Sequence, residues 1–133
     1  PVGSMLVGDQ AFIDAARRAR KLFGGGMRQA GVVAAPGLLA LERRDELAAD
    51  HRRAADLAAG LAEIPGLRVR DPETNIVLVE TEAPAESVLS ACEAEGVLGS
   101  QFDDHVVRFC THWDVDDADV AAAVEGVRDA VAG

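Results

Sequence analysis

The hydrophobic period of this chain changes at Ile64-Pro65-Gly66, and that change decides what the chain can fold into. Upstream, Leu47, Ala54, Ala58 and Leu61 recur at helical spacing with charges between them, which predicts an amphipathic helix over 43–63. Downstream the pattern is short and strand-like. Leu67-Arg68-Val69 alternates, Asp71-Pro72-Glu73 turns the chain, and 76–79 is a continuous apolar run, expected as a strand covered on both faces. Residues 84–95 read as a helix ended by Gly96. Residues 97–99 and 106–110 read as two further strands, with a turn at Asp103-Asp104. Asp114 is the expected cap of a last helix, with Asp116 and Asp117 in its first turn, where the helix dipole favours them. Its stripe is Val120, Val124, Val127 and Val131. Residues 43–133 therefore read α-β-β-α-β-β-α, a small α/β domain with a sheet covered by helices.

Residues 1–42 read differently. Residues 1–8 suggest the end of a loop and one short strand. Asp9 caps a helix with Phe12, Ala16, Ala19 and Phe23 on one stripe, and Gly24-Gly25-Gly26 ends it. A second helix is expected from Met27 to Glu42, mostly small and apolar, kinked or divided by Pro36. One strand and two helices do not make a domain; they read as the end of a larger one.

Composition narrows the function classes. Apolar residues make up 49% of the chain, too many for disorder. No apolar run reaches the ~18 residues of a membrane span, so a soluble, cytoplasmic protein is expected. The net charge is −10. Residues 54–133 carry only four of the basic groups against seventeen acidic ones, which a nucleic-acid backbone would repel. Cys92 and Cys110 have no metal-ligand spacing and read as two buried thiols, so no metal site is expected.

Few residues can carry chemistry. His51, His105 and His112 read as surface or structural imidazoles, and no nucleophile triad or nucleotide-binding glycine motif is present. Gly24-Gly25-Gly26 is either a tight connection or a phosphate seat. Arg108 stands among Val106, Val107, Phe109 and Cys110, where an unpaired guanidinium is unfavourable. It is either an edge-strand residue pointing to water or paired with an aspartate, or an anion-binding arginine whose planar fork grips a carboxylate. Arg28, just after the triple glycine, is either a solvated helix residue or a phosphate ligand.

The stretches 1–8, Arg20-Lys21 and Gly24-Gly25-Gly26-Met27-Arg28-Gln29-Ala30-Gly31 resemble the low-specificity L-threonine aldolases. Farther on, the stretches 46–51, 73–77 and 108–115 (Arg108-Phe109-Cys110-Thr111-His112-Trp113-Asp114-Val115) occur in the order found in that family. The resemblance covers nearly the whole chain and implies the carboxy-terminal part of a fold-type I enzyme dependent on pyridoxal phosphate. Residues 1–42 would be the end of the cofactor-binding large domain, and 43–133 the small domain. The implied activity is cleavage of threonine and related β-hydroxy-α-amino acids to glycine and an aldehyde. Carried over by position, Arg108 would hold the substrate carboxylate. Arg28 would reach the cofactor phosphate from a neighbouring subunit, and Lys21 would stand near the site entrance, also across the interface. Thr111, His112 and Asp114 would be structural. The Schiff-base lysine of the family falls before the position of Pro1, so no catalytic residue is assigned in this chain. The partners implied are the amino-terminal part of the enzyme and further copies of it, as a dimer or a dimer of dimers. The other readings are a non-catalytic α/β binding or regulatory module that keeps only the anion site at Arg108, and a purely structural remnant with no ligand.

Overall fold

The computed structural model describes residues 4–132, and the chain divides between Asp45 and Glu46 into two compact units.

In the first unit, α1 (Gln10–Leu22) starts at Asp9, whose carboxylate accepts the Phe12 N–H at 2.8 Å. It ends as the glycine run demands. Gly24 takes the left-handed backbone, φ 76°, that glycine adopts without strain. The Gly25 N–H donates to the Arg20 carbonyl at 2.8 Å and the Gly24 N–H to the Lys21 carbonyl at 3.2 Å, a Schellman termination. The triple glycine is thus a helix terminator. Helix α2 (Gly31–Glu42) starts later than expected, because residues 28–30 form a turn with backbone bonds from Val32 and Val33. Pro36 sits inside α2 without dividing it: only one donor is lost, and Ala34, Ala35, Leu38 and Leu39 around it favour helix. Residues 4–9 form no strand, contrary to expectation, and residues 1–3 lie outside the described part. No residue of α1 or α2 is buried, and Phe23 of the expected stripe is 86% exposed.

The second unit contains α3 (Leu47–Ala62), β1 (Leu67–Val69), β2 (Ile76–Thr81), α4 (Ala85–Ala94), β3 (Ser100–Asp103), β4 (Val106–Cys110) and α5 (Asp117–Ala132). The element order is the one the sequence predicts. The four strands pair antiparallel in the order β1-β2-β4-β3, which puts β4 in the interior of the sheet. The core fills one face of the sheet: Val77, Val79, Val107 and Phe109 pack with Leu57 and Leu61 of α3, Cys92 of α4, and Val120, Val124 and Val127 of α5. Helix α5 lies close on α3, because a Cβ on Gly60 would come within 2.6 Å of Val124 Cγ2. Among the described residues no helix is long and apolar enough to cross a membrane.

Five local expectations are corrected. Strand β2 alternates in burial instead of being covered on both faces, so the sheet has an open face. The strand expected over 97–99 forms instead at Ser100–Asp103. Gly96, φ 79°, closes α4 with the Val97 N–H on the Cys92 carbonyl at 2.8 Å, so 97–99 descend from the helix end before pairing begins. Asp116, not Asp114, caps α5: its carboxylate accepts the Ala118 and Asp119 N–H groups at 2.8 and 2.9 Å, while Asp119 accepts the Asp116 N–H at 2.8 Å. Of the two thiols only Cys92 is buried, and burial pushes its titration up; Cys110 is exposed at the end of β4. Leu47 of the expected α3 stripe is also exposed, and Leu57 takes its place in the core.

An ionic tie joins α3 to the start of α5. Asp117 accepts from Arg52 at 2.8 Å and from Arg53 at 2.9 Å, and these hydrogen bonds, Arg52's first, hold its carboxyl below the ordinary 3.8. A depressed carboxylate contributes stability that is present above the unfolded value and lost as pH falls through the folded one. Asp117→Asn is therefore expected to be less stable than the parent at pH 7, with the difference shrinking once pH drops below about 4. Thermal melts of both proteins across that range check it; a gap that persists unchanged at pH 2 contradicts the tie.

Candidate functional site on the open sheet face

Residue alternation sorts the interior strand β4 into two sets. Val107 and Phe109 enter the core, while Arg108 and Cys110 share the opposite face. Pairing places Arg108 on one rung with Leu78 of β2 and Ser100 of β3. Cross-strand partners on a rung point the same way, so the guanidinium stands between an apolar and a hydroxyl neighbour. Arg108 is half-buried, and its Nε–H donates to Ser100 Oγ at 3.1 Å.

Its remaining N–H groups have no carboxylate partner among the described residues. The acidic residue nearest in register, Glu80 opposite Val106, is already engaged: Arg70 donates to its Oε1 from Nε at 3.0 Å and from a terminal nitrogen at 2.7 Å. Arg108 is therefore neither an edge-strand residue nor one neutralised within the unit. Half-burial weakens its hydration, so a planar anion such as a carboxylate is the ligand its free terminal nitrogens fit.

The end of β4 is fixed by a polar clamp. The Thr111 N–H donates to the Asn75 carbonyl at 3.0 Å, and Asn75 Nδ2 returns a bond to the Thr111 carbonyl at 2.6 Å. Thr111 Oγ1, buried, donates to the Asp50 carbonyl of α3 at 2.7 Å. His112 Nδ1 accepts the Asp114 N–H at 3.2 Å in the next turn. His51 is exposed on α3, and His105 closes the β3–β4 turn with Nδ1 3.1 Å from the Ala83 carbonyl. A cleft of about 350 Å³ lies beside this end of β4, lined by Leu57, Phe109, Cys110, His112 and Val120 among others; Arg108 is outside it.

Lys21 and Arg28 belong to the first unit. Both are exposed, Lys21 in the last turn of α1 and Arg28 in the turn before α2. The Lys21 amine lies 3.8 Å from where a Cβ on Gly26 would stand, so it folds over the glycine turn two residues before Arg28. These residues fit pyridoxal phosphate only at its phosphate, which two exposed cations can contact. The aldehyde requires an amine, and the chain's one lysine is Lys21, a surface residue at a helix end. The described residues do not make a seat for the whole group.

Sequence reasoning did not single out Ser100. Counting back from β4 across the turn residues Asp104 and His105 sets Gln101 beside Arg108; an irregularity between Gln101 and Asp103 shifts the register by one and brings Ser100 there instead, so no plain sequence signal marked it.

The sequence is similar to known proteins over nearly its whole length. It is 39% identical over 127 residues to low-specificity L-threonine aldolase 1 of Arabidopsis thaliana, covering 90% of this chain and 36% of that protein. It is 41% identical over 117 residues to the low specificity L-threonine aldolase of Escherichia coli strain K12, covering 86% and 34%. The chain thus spans about a third of the length of these curated relatives. Among solved structures it is similar to the ornithine aminotransferase of Toxoplasma gondii ME49, with TM-score 0.57 and 18% identity over 68% of this chain and 24% of that one. That likeness concerns the fold alone, and the fold is the expected one, the carboxy-terminal part of a fold-type I transferase-like architecture. The family model described as beta-eliminating lyase matches residues 1–84, well over half of the sequence. On that match, and on the threonine aldolases that align through Arg108 and beyond, the chain belongs to the β-eliminating lyase family.

Proposed function

We propose that this chain is the carboxy-terminal portion of a pyridoxal-phosphate-dependent aldolase that cleaves L-threonine or related β-hydroxy-α-amino acids to glycine and an aldehyde. The observation that carries the reading is Arg108: an interior-strand guanidinium on an open face, held at Nε, with its terminal nitrogens unclaimed among the described residues. Its task is to bind the α-carboxylate and to fix which substrate bond stands ready to break. Bound by the complete enzyme, pyridoxal phosphate would supply the electron withdrawal that this cleavage needs. Residues 1–42 are the end of the cofactor domain and 43–133 the small domain. The exposed apolar side chains of α1 and α2, Leu22 and Leu39 among them, are covered by the rest of the enzyme. Arg28 and Lys21 contribute cationic contacts at the cofactor phosphate and the site entrance of a neighbouring subunit, in a cytoplasmic dimer or dimer of dimers.

The full-length enzyme supplied with pyridoxal phosphate is expected to release glycine and acetaldehyde in equal amounts from L-threonine, whereas residues 1–133 alone release none. Borohydride treatment of that fragment with the cofactor, followed by peptide mapping, is expected to leave Lys21 unmodified. A pyridoxyl group on Lys21, or no cleavage by the full-length enzyme, removes this reading.

A further inference from the structure

We propose that Ser100 is a positioning residue for Arg108 that selects how the guanidinium receives its anion. This inference rests on reading Arg108 as the carboxylate holder. A guanidinium offers a carboxylate two paired faces, one using Nε with a terminal nitrogen and one using both terminal nitrogens. Here the first is blocked, because Nε–H is donated to Ser100 Oγ at 3.1 Å. The remaining face is end-on, and the carboxylate meets the two terminal nitrogens.

The chain builds this contact deliberately. Gly96 ends α4 and the Val97 N–H folds back on Cys92, so the segment drops from the helix toward the sheet. Gly99 then passes so near the core that a Cβ there would lie 2.9 Å from both the Phe109 ring and Leu89. That close approach, together with the one-residue register irregularity between Gln101 and Asp103, brings Ser100 to the rung of Arg108, across from Leu78. Leu78 has no polar atom, so Ser100 is the rung neighbour able to fix the rotation of the guanidinium. With the hydroxyl gone, Nε–H is left unsatisfied in a half-buried setting and competes for the substrate carboxylate, tilting it out of the productive orientation.

The test is a double-mutant cycle in the full-length enzyme, reading kcat/KM for L-threonine. Ser100→Ala is expected to lower it about 10-fold in the parent and by less than about 2-fold in the Arg108→Ala background, because the two residues act as one unit. Ser100→Thr, which keeps the hydroxyl, is expected to recover activity to within about 3-fold of the parent. Equal losses in both backgrounds, no loss in the parent, or failure of the threonine variant alongside unchanged thermal stability would each overturn the role of Ser100. If Arg108→Ala itself leaves kcat/KM unchanged, the carboxylate reading falls first, a result separate from any of these.

Discussion

In the complete enzyme, replacing Arg108 with alanine is expected to lower kcat/KM for L-threonine by about 100-fold or more, ~2.7 kcal/mol of transition-state binding. Two charge-assisted hydrogen bonds to one carboxylate contribute on the order of 1.5–3 kcal/mol each, so a 100-fold loss is well within their combined reach. The same grip orients the bond to be broken, so kcat falls together with the rise in KM. Arg108→Lys recovers little, because an ammonium on a flexible stem cannot present two parallel donors or hold Ser100 through a third. Cofactor content, read by absorbance, is expected to be unchanged in both variants. Steady-state kinetics with purified protein checks this, and near-normal activity in the alanine variant would return Arg108 to a solvated strand residue.

The second large effect concerns Phe109, which is only 5% exposed and follows Arg108 on β4. Its ring belongs to the core and lies so near Gly99 that a Cβ there would come within 2.9 Å of it. Phe109→Ala leaves a cavity that β3 and α4 cannot both close, so a loss of about 3–5 kcal/mol is expected. That is a large share of the ~5–15 kcal/mol available to a domain. Urea unfolding followed by circular dichroism measures it. A loss below about 1 kcal/mol would mean that β3 is not seated through this ring, and with it the placing of Ser100 would fail.

Element order in the second unit was legible because each helix and strand carries its own period and its own stop. Gly96, Pro65-Gly66 and the acidic start of α5 each left a mark that local chemistry explains. What the sequence left open was sidedness. The run at 76–79 is apolar at every position, so it could not reveal that one sheet face is open; only pairing with β4, which brings Leu78 beside Arg108, resolves that. The same ambiguity set two readings against each other at Arg108. Neither a solvated edge nor an enclosed apolar surround is found: the residue is interior in the sheet and half-buried on its open face. Ser100 was invisible for a different reason. A serine carries no period, and the Schellman closure at Gly96 moves the start of β3 past the residues that alternation favours. In the first unit Pro36 signalled a kink or a break, and the helix is not divided there, because one missing donor is a local loss that strong helix formers on either side absorb.

Everything proposed for this chain depends on Arg108 recognising a carboxylate. Isothermal titration of the full-length enzyme with glycine and with glycinamide, which keeps the amine but replaces the anion with a neutral amide, tests it most directly. The parent is expected to bind glycine at least about 50-fold more tightly than glycinamide, and Arg108→Ala to bind the two within about 3-fold of each other. A preference for glycine that survives intact in Arg108→Ala would show that the carboxylate is held elsewhere.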